Sequence, residues 1–270
     1  MLNAVSKISI IASLALAVCS CGSSEREQAR QLSDAAETEL MAGNYEAAVN
    51  ILDTLDTRYA SQVEVRRSAM KFRAMAVEGL TLRRITVVDD TLSILDRDLQ
   101  ACEGKFEYKV NPGKGLGGNL VMKSIASKKP ALLPRINDDG YFTLSVTVTG
   151  KPIGFQYVRF GKGADSATTE PVDAGRLVKV EGSEMTVLQQ EDVATAIEWL
   201  KNHQDTKQCE LVGTKGLTAV RLTPELAGAI VSTFDYAQLR QAKRQALIER
   251  EKLERKLKLC RDQLANLIDK

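Results

Sequence analysis

Histidine is all but missing from this chain: His203 is the single example among 270 residues. That excludes a histidine-rich metal cluster and most Ser-His and Cys-His catalytic pairings, each of which needs an imidazole beside the nucleophile. Aromatics are scarce as well, with one tryptophan, six tyrosines and six phenylalanines, so a core must take most of them. Six prolines and 18 glycines exclude a collagen-like or proline-rich linker protein. No charge excess directs the chain to a polyanion or polycation, because 37 Lys and Arg stand against 35 Asp and Glu. The Gly-x-Ser-x-Gly, His-Glu-x-x-His and Cys-x-x-Cys motifs are absent. The 44% hydrophobic and 27% charged residues that are present suffice for one large or two modest domains.

The first 20 residues read as an address. Lys7 is followed by an apolar run from Ile8 to Val18, too short to span a bilayer at the roughly 20 residues a helix needs. The stretch Leu16-Ala17-Val18-Cys19-Ser20-Cys21-Gly22-Ser23-Ser24 resembles a bacterial lipobox. The resemblance implies cleavage before a cysteine that carries the lipid and becomes the first mature residue. Cys21, with small Ser20 before it and a Gly-Ser-Ser tether after it, fits that role; Cys19, behind branched Val18, is the alternative. Glycine rather than aspartate after Cys21 is similar to lipoproteins sorted to an outer membrane, on its periplasmic or its surface face. Acyl chains contribute about 0.8 kcal/mol per buried CH₂, so such an anchor holds almost permanently. Export also removes nucleic acid and cytosolic nucleotides from the partners. Cys102, Cys209 and Cys260 remain; they are too dispersed for a zinc site, and buried thiols are the expectation, with one disulfide as the alternative.

Residues 25–60 read as two helices. Leu32, Ala35, Ala36, Leu40 and Met41 keep a helical period, Gly43-Asn44 breaks it, and a second run follows through Tyr45, Ala48, Val49, Leu52, Leu55 and Tyr59. The segment Ala42-Gly43-Asn44-Tyr45-Glu46-Ala47-Ala48 resembles the turn of one tetratricopeptide (TPR) repeat, although Thr54 stands where that family usually has alanine. The resemblance implies two antiparallel helices with an aromatic wedged between them. From 61 to 103 the pattern stays helical, and Gly79 is expected to loosen its middle. Val88, Leu92, Leu95, Leu99 and Cys102 repeat at the 4-3-4-3 spacing of a coiled-coil seam, as do Leu253, Leu257, Cys260, Leu264 and Leu267 near the other end. Thr223-Pro224-Glu225 starts that last helix. Matched lengths predict an antiparallel hairpin, in which the basic 240–261 segment meets the acidic 25–60 segment.

Between these helices the period changes to two. Residues 141–149 alternate, with Phe142, Leu144, Val146 and Val148 on one face, entered by an Asn137-Asp138-Asp139-Gly140 turn. Further strands are expected near 106–110, 131–136, 153–160, 176–180 and 185–189, a short helix over 191–201, and a hairpin of 207–213 with 216–222. Residues 161–175 read as a flexible loop. The run Gly113 to Gly118 matches Gly-x-Gly-x-x-Gly formally, but a phosphate cradle needs a buried strand before it and a helix after it, and Pro112 intervenes. Asp89-Asp90 diverge on a helix, and Asp138-Asp139 suit a turn better than a calcium site. His203 reads as an exposed helix end. Phe155, Tyr157, Phe160 and Trp199 are the candidates for a sugar platform.

The expected fold is α+β: signal 1–20, tether and TPR-like helical hairpin 21–60, a long helix 61–103, an inserted small antiparallel β module 104–222, and a coiled-coil helix 223–270. In arrangement the chain resembles bacterial envelope lipoproteins of unknown function, and that resemblance carries no catalytic, cofactor or metal residues across. It implies a non-enzymatic scaffold or interaction module held on a membrane by its N-terminal lipid, with an envelope protein as partner. A glycan-binding surface lipoprotein is the alternative.

Overall fold

The computed structural model describes residues 24–110, 117–180, 182–203 and 205–268. The lipobox, with Cys19 and Cys21, and residues 113–116 of the glycine run lie outside them. The fold is α+β, with five α-helices and two antiparallel sheets among the described residues. Two compact units divide the chain, one holding Met1–Arg84 with Glu254–Lys270 and the other Ile85–Leu253. Helices α3 (Val63–Glu103) and α5 (Pro224–Ile268) each contribute to both.

In the first unit, α1 (Glu25–Met41) and α2 (Tyr45–Arg58) pair antiparallel, the Tyr59 hydroxyl at the end of α2 donating to Gln28 Oε1 near the start of α1. Alanines make the close approach possible: Ala29, Ala36 and Ala48 are fully buried, with Leu52 and Leu55 filling the space beside Val65, Ala69 and Phe72 of α3. Ser24 caps α1, accepting from Glu27 N. Asp53 and Asp56 of α2 pair with Arg66 and Arg73 of α3 at 2.6–2.8 Å.

Gly79 does not loosen α3, which runs through it unbroken. It is buried because the Tyr45 ring lies directly on it: a Cβ placed there would come within 2.4 Å of the ring. Arg83 covers the same ring at 4.7 Å. The charge pairing also differs from expectation. Arg261 takes Glu78 in this unit, and in the other Lys243 takes Asp96 and Arg250 takes Asp89. The acids for these three bases come from α3, not from 25–60, because α3 is the helix against which α5 runs in each unit. In the second unit the two pairs step by seven residues in opposite directions, which makes α3 and α5 antiparallel there.

That second unit carries both sheets. The larger, sheet A, has the order β1 (Phe106–Val110), β2 (Gly118–Met122), β3 (Leu132–Asn137), β4 (Phe142–Thr149), β8 (Ser183–Gln189), β7 (Val178–Val180). The smaller, sheet B, has the order β10 (Gly216–Arg221), β9 (Gln208–Gly213), β5 (Phe155–Lys162), β6 (Asp165–Thr168). As the alternation requires, Phe142, Leu144, Val146 and Val148 all face the core, joined by Phe155, Val158 and Phe160 of sheet B, by α4 (Gln190–Asn202) and by the first turns of α5. Phe234 of α5 meets Phe142 edge-on at 5.3 Å. Thr223 Oγ1 accepts from Leu226 N and starts α5 as its sequence predicts. Two strands escape the sequence reading: β2, and β6, which with a 3-10 turn at Ala174–Arg176 occupies the expected loop at 161–175.

The β4-to-β5 crossover is held by one side chain. Glu184 of β8 is 1% exposed, and its carboxylate accepts from the backbone N–H groups of Ile153, Gly154 and Phe155 at 3.1–3.2 Å. On its other side the crossover accepts at Gly154 O and Ile153 O from Thr214 N and Lys215 N of the β9–β10 turn. Gly154 is there at φ +64, where a Cβ would meet Thr214 Oγ1 at 2.5 Å.

Gly79→Ala tests the packing of the first unit. Alanine is normally the better helix former by about 1 kcal/mol. Here the substitution is expected to lower the thermal midpoint, because the Tyr45 ring must leave. Calorimetry of Gly79→Ala alone and combined with Tyr45→Ala checks it: in the Tyr45→Ala background the same change is expected to stabilise.

Candidate functional site

The core face of sheet A is apolar apart from Glu184 and Thr186 of β8; the outer face is not simply solvated. Cross-strand register sets it out in rows. Arg135 lies opposite Thr143, which lies opposite Gln189. The next row is Leu133, Ser145 and Val187, and the one after it ends in Thr147, Met185 and Val178. Thr143 and Ser145 are only 7% and 9% exposed although they point away from the core. A groove of about 810 Å³ opens over these rows, bounded by Lys128, Lys129 and Pro130 on one side and Arg176 on the other.

Four cations line this groove, Lys128, Lys129, Arg135 and Arg176, and no acid is among its lining residues. Two of the cations are matched from outside: Lys128 pairs with Glu225, and Arg176 pairs with Asp192 at 2.7 Å while also donating to Val187 O. Asp192 is the third residue of α4 and also accepts from Gln189 N in a capping box, which fixes the Arg176 wall to the helix. Burial alone would raise the Asp192 carboxyl, but the bonds from Arg176 and Gln189 outweigh it and hold the group below its ordinary value. Arg135 differs. Its Nε is buried and has no hydrogen-bond partner, and burial pulls its guanidinium below the ordinary arginine value.

The residues singled out by sequence are scattered rather than assembled. Phe155 and Phe160 are 1% and 0% exposed and belong to the core, so the proposed aromatic platform loses two of its four members. Tyr157 receives Arg159 Nη2 on its hydroxyl at 3.1 Å. His203 is not an exposed end: it caps α4, lies half-buried, and stacks on Trp199 at 4.0 Å with 6° between the rings. Its Nδ1 lies 2.8 Å from Trp199 O. Asp138 does form a turn with Asp139, and its carboxylate accepts from Tyr108 Oη and Gly118 N, pinning the β1–β2 hairpin. The glycine run leads into β2, a strand, so the helix N-terminus required for a phosphate cradle does not follow it. Among the described residues no group of His, Cys, Asp and Glu is arranged to hold a metal. Cys102, Cys209 and Cys260 are free thiols, and burial pushes Cys209 up to about 12, leaving it unreactive at neutral pH.

Arg135 is the residue the sequence reading missed. The signal was present: one cation inside Leu132-Leu133-Pro134-Arg135-Ile136, with apolar neighbours on both sides. A half-buried cation without a bonded acid costs stability, so Arg135→Met is expected to stabilise the protein by about 1 kcal/mol in urea denaturation. A loss of that size would instead mean that the guanidinium holds the sheet together.

Comparison with protein-family models, curated proteins and solved structures finds no match to this chain.

Proposed function

We propose that the protein is a lipid-anchored, non-enzymatic binding protein of a bacterial envelope, acylated on Cys21 with Cys19 as the alternative, and sorted to the outer membrane. Its groove on sheet A takes an anionic component of that envelope. The observation that carries the reading is the groove's lining, four cations with no acid, one of them a half-buried arginine whose Nε has no bonded partner. No described helix is long and apolar enough to cross a membrane, so a membrane location rests on the lipid.

The helical part serves in this reading as scaffold, with α1 and α2 as a TPR-like hairpin and α3 and α5 as an antiparallel coiled coil. Buried Ala29, Ala36 and Ala48 support the first. The second is supported by burial of Leu253 and Cys260 and by the seven-residue step between the Lys243–Asp96 and Arg250–Asp89 pairs.

Metabolic labelling with an alkynyl fatty acid tests the anchor: Cys21→Ser is expected to lose the label and Cys19→Ser to keep it. The converse would make Cys19 the anchor, and a label retained in both single variants and in the double variant would refute lipidation here. A photo-crosslinking amino acid at Met185, inside the groove, is expected to capture one defined species in cells, read by mass spectrometry. Self-links alone would remove the groove as a binding surface.

A further inference from the structure

Arg135 closes one end of the groove, and two residues further along each strand the lining turns to Leu133 and Val187, then to Ala131, Met185 and Val178, with Lys128 and Lys129 beyond Ala131 at the other end. Those apolar side chains are not buried by the protein itself: Val178 is 59%, Val187 43% and Met185 42% exposed. At about 3.3 Å per residue, the apolar rows extend roughly 13 Å from the arginine row. Solvent-exposed aliphatics in a line, ending on an incompletely bonded cation, are complementary to a molecule with one anionic head and one apolar tail. A hydrophilic anion would leave the aliphatic rows wet, and a neutral lipid would leave the Arg135 guanidinium without a counter-charge. The hydroxyls of Ser145 and Thr147 lie along the floor between them.

We propose that the groove binds a carboxylate amphiphile of fatty-acid type, its head on Arg135 and its alkyl chain lying across Leu133, Val187, Met185 and Val178. This rests on reading the groove as the protein's binding surface and adds the chemical class of what fills it.

Isothermal titration of the full chain in its Cys19→Ser/Cys21→Ser form, free of acyl groups of its own, tests the proposal with laurate, lauryl alcohol and butyrate as probes. Laurate is expected to bind one to one, with the other two at least tenfold weaker, since each lacks half of the match. Arg135→Met, which keeps the unbranched stem and removes the charge, is expected to weaken laurate at least tenfold and leave lauryl alcohol unchanged. Val187→Asp is expected to abolish laurate binding, and circular dichroism confirms that both variants are folded. Equal binding of laurate by wild type and Arg135→Met would overturn the proposal, as would no binding by wild type. If laurate fails while the Met185 crosslinker captures a protein in cells, the amphiphile is wrong and the binding-surface reading stands. If both fail, both fall.

Discussion

A single buried carboxylate joins the two sheets. Glu184 projects from β8 of sheet A and gathers the N–H groups of Ile153, Gly154 and Phe155, the three residues through which the chain leaves β4 and enters β5 of sheet B. Without such an acceptor, two buried donors and a third, part-buried one would be left unpaired in a crossover that has no ladder of its own, at about 1–3 kcal/mol for each buried one. Two of the same residues, Ile153 and Gly154, receive the β9–β10 turn through their carbonyls, so sheet B is registered from both sides of one short segment. The order of sheet A fixes where Glu184 stands, and Glu184 fixes where sheet B begins.

Sheet A therefore holds a charged residue on each face, and the two are treated differently. On the core face the Glu184 charge is met by backbone dipoles, which makes it architecture. On the outer face Arg135 has a buried Nε with no partner and exposed aliphatics beside it. One buried charge is thus satisfied by three backbone groups, while the other is left incompletely bonded at a cost in stability, which is why the proposed ligand is placed at Arg135.

How much was legible in the sequence follows from the range of the interactions. Elements whose signal is local were readable: the alternation of β4, the Thr223-Pro224-Glu225 start of α5, the unbroken helical pattern of the two long helices. β2 and β6 were not: β2 (Gly118–Met122) is five residues long and follows a glycine run, β6 (Asp165–Thr168) is four residues and mostly polar, and such short strands owe their state to a neighbour's N–H and C=O groups. Charge blocks showed that long-range pairing exists but not with which helix; α3 supplied the partners of Lys243, Arg250 and Arg261. Gly79 read as a weak point because its use, a seat for Tyr45, lies 34 positions away in the chain. Of the groove, the threonine and serine face of β4 was visible as polar, while its burial and its neighbour Arg135 depend on strand register that spacing does not encode.

Hydrogen exchange followed by NMR at the crossover is the most direct test of this account. In the wild-type protein the amides of Ile153, Gly154 and Phe155 are expected to exchange as slowly as those of the β4–β8 ladder. In Glu184→Leu, which removes both accepting oxygens, these three are expected to exchange far faster while the ladder stays protected. Fast exchange at all three in the wild type, or no change in the variant, would contradict the claim that this carboxylate joins the two sheets.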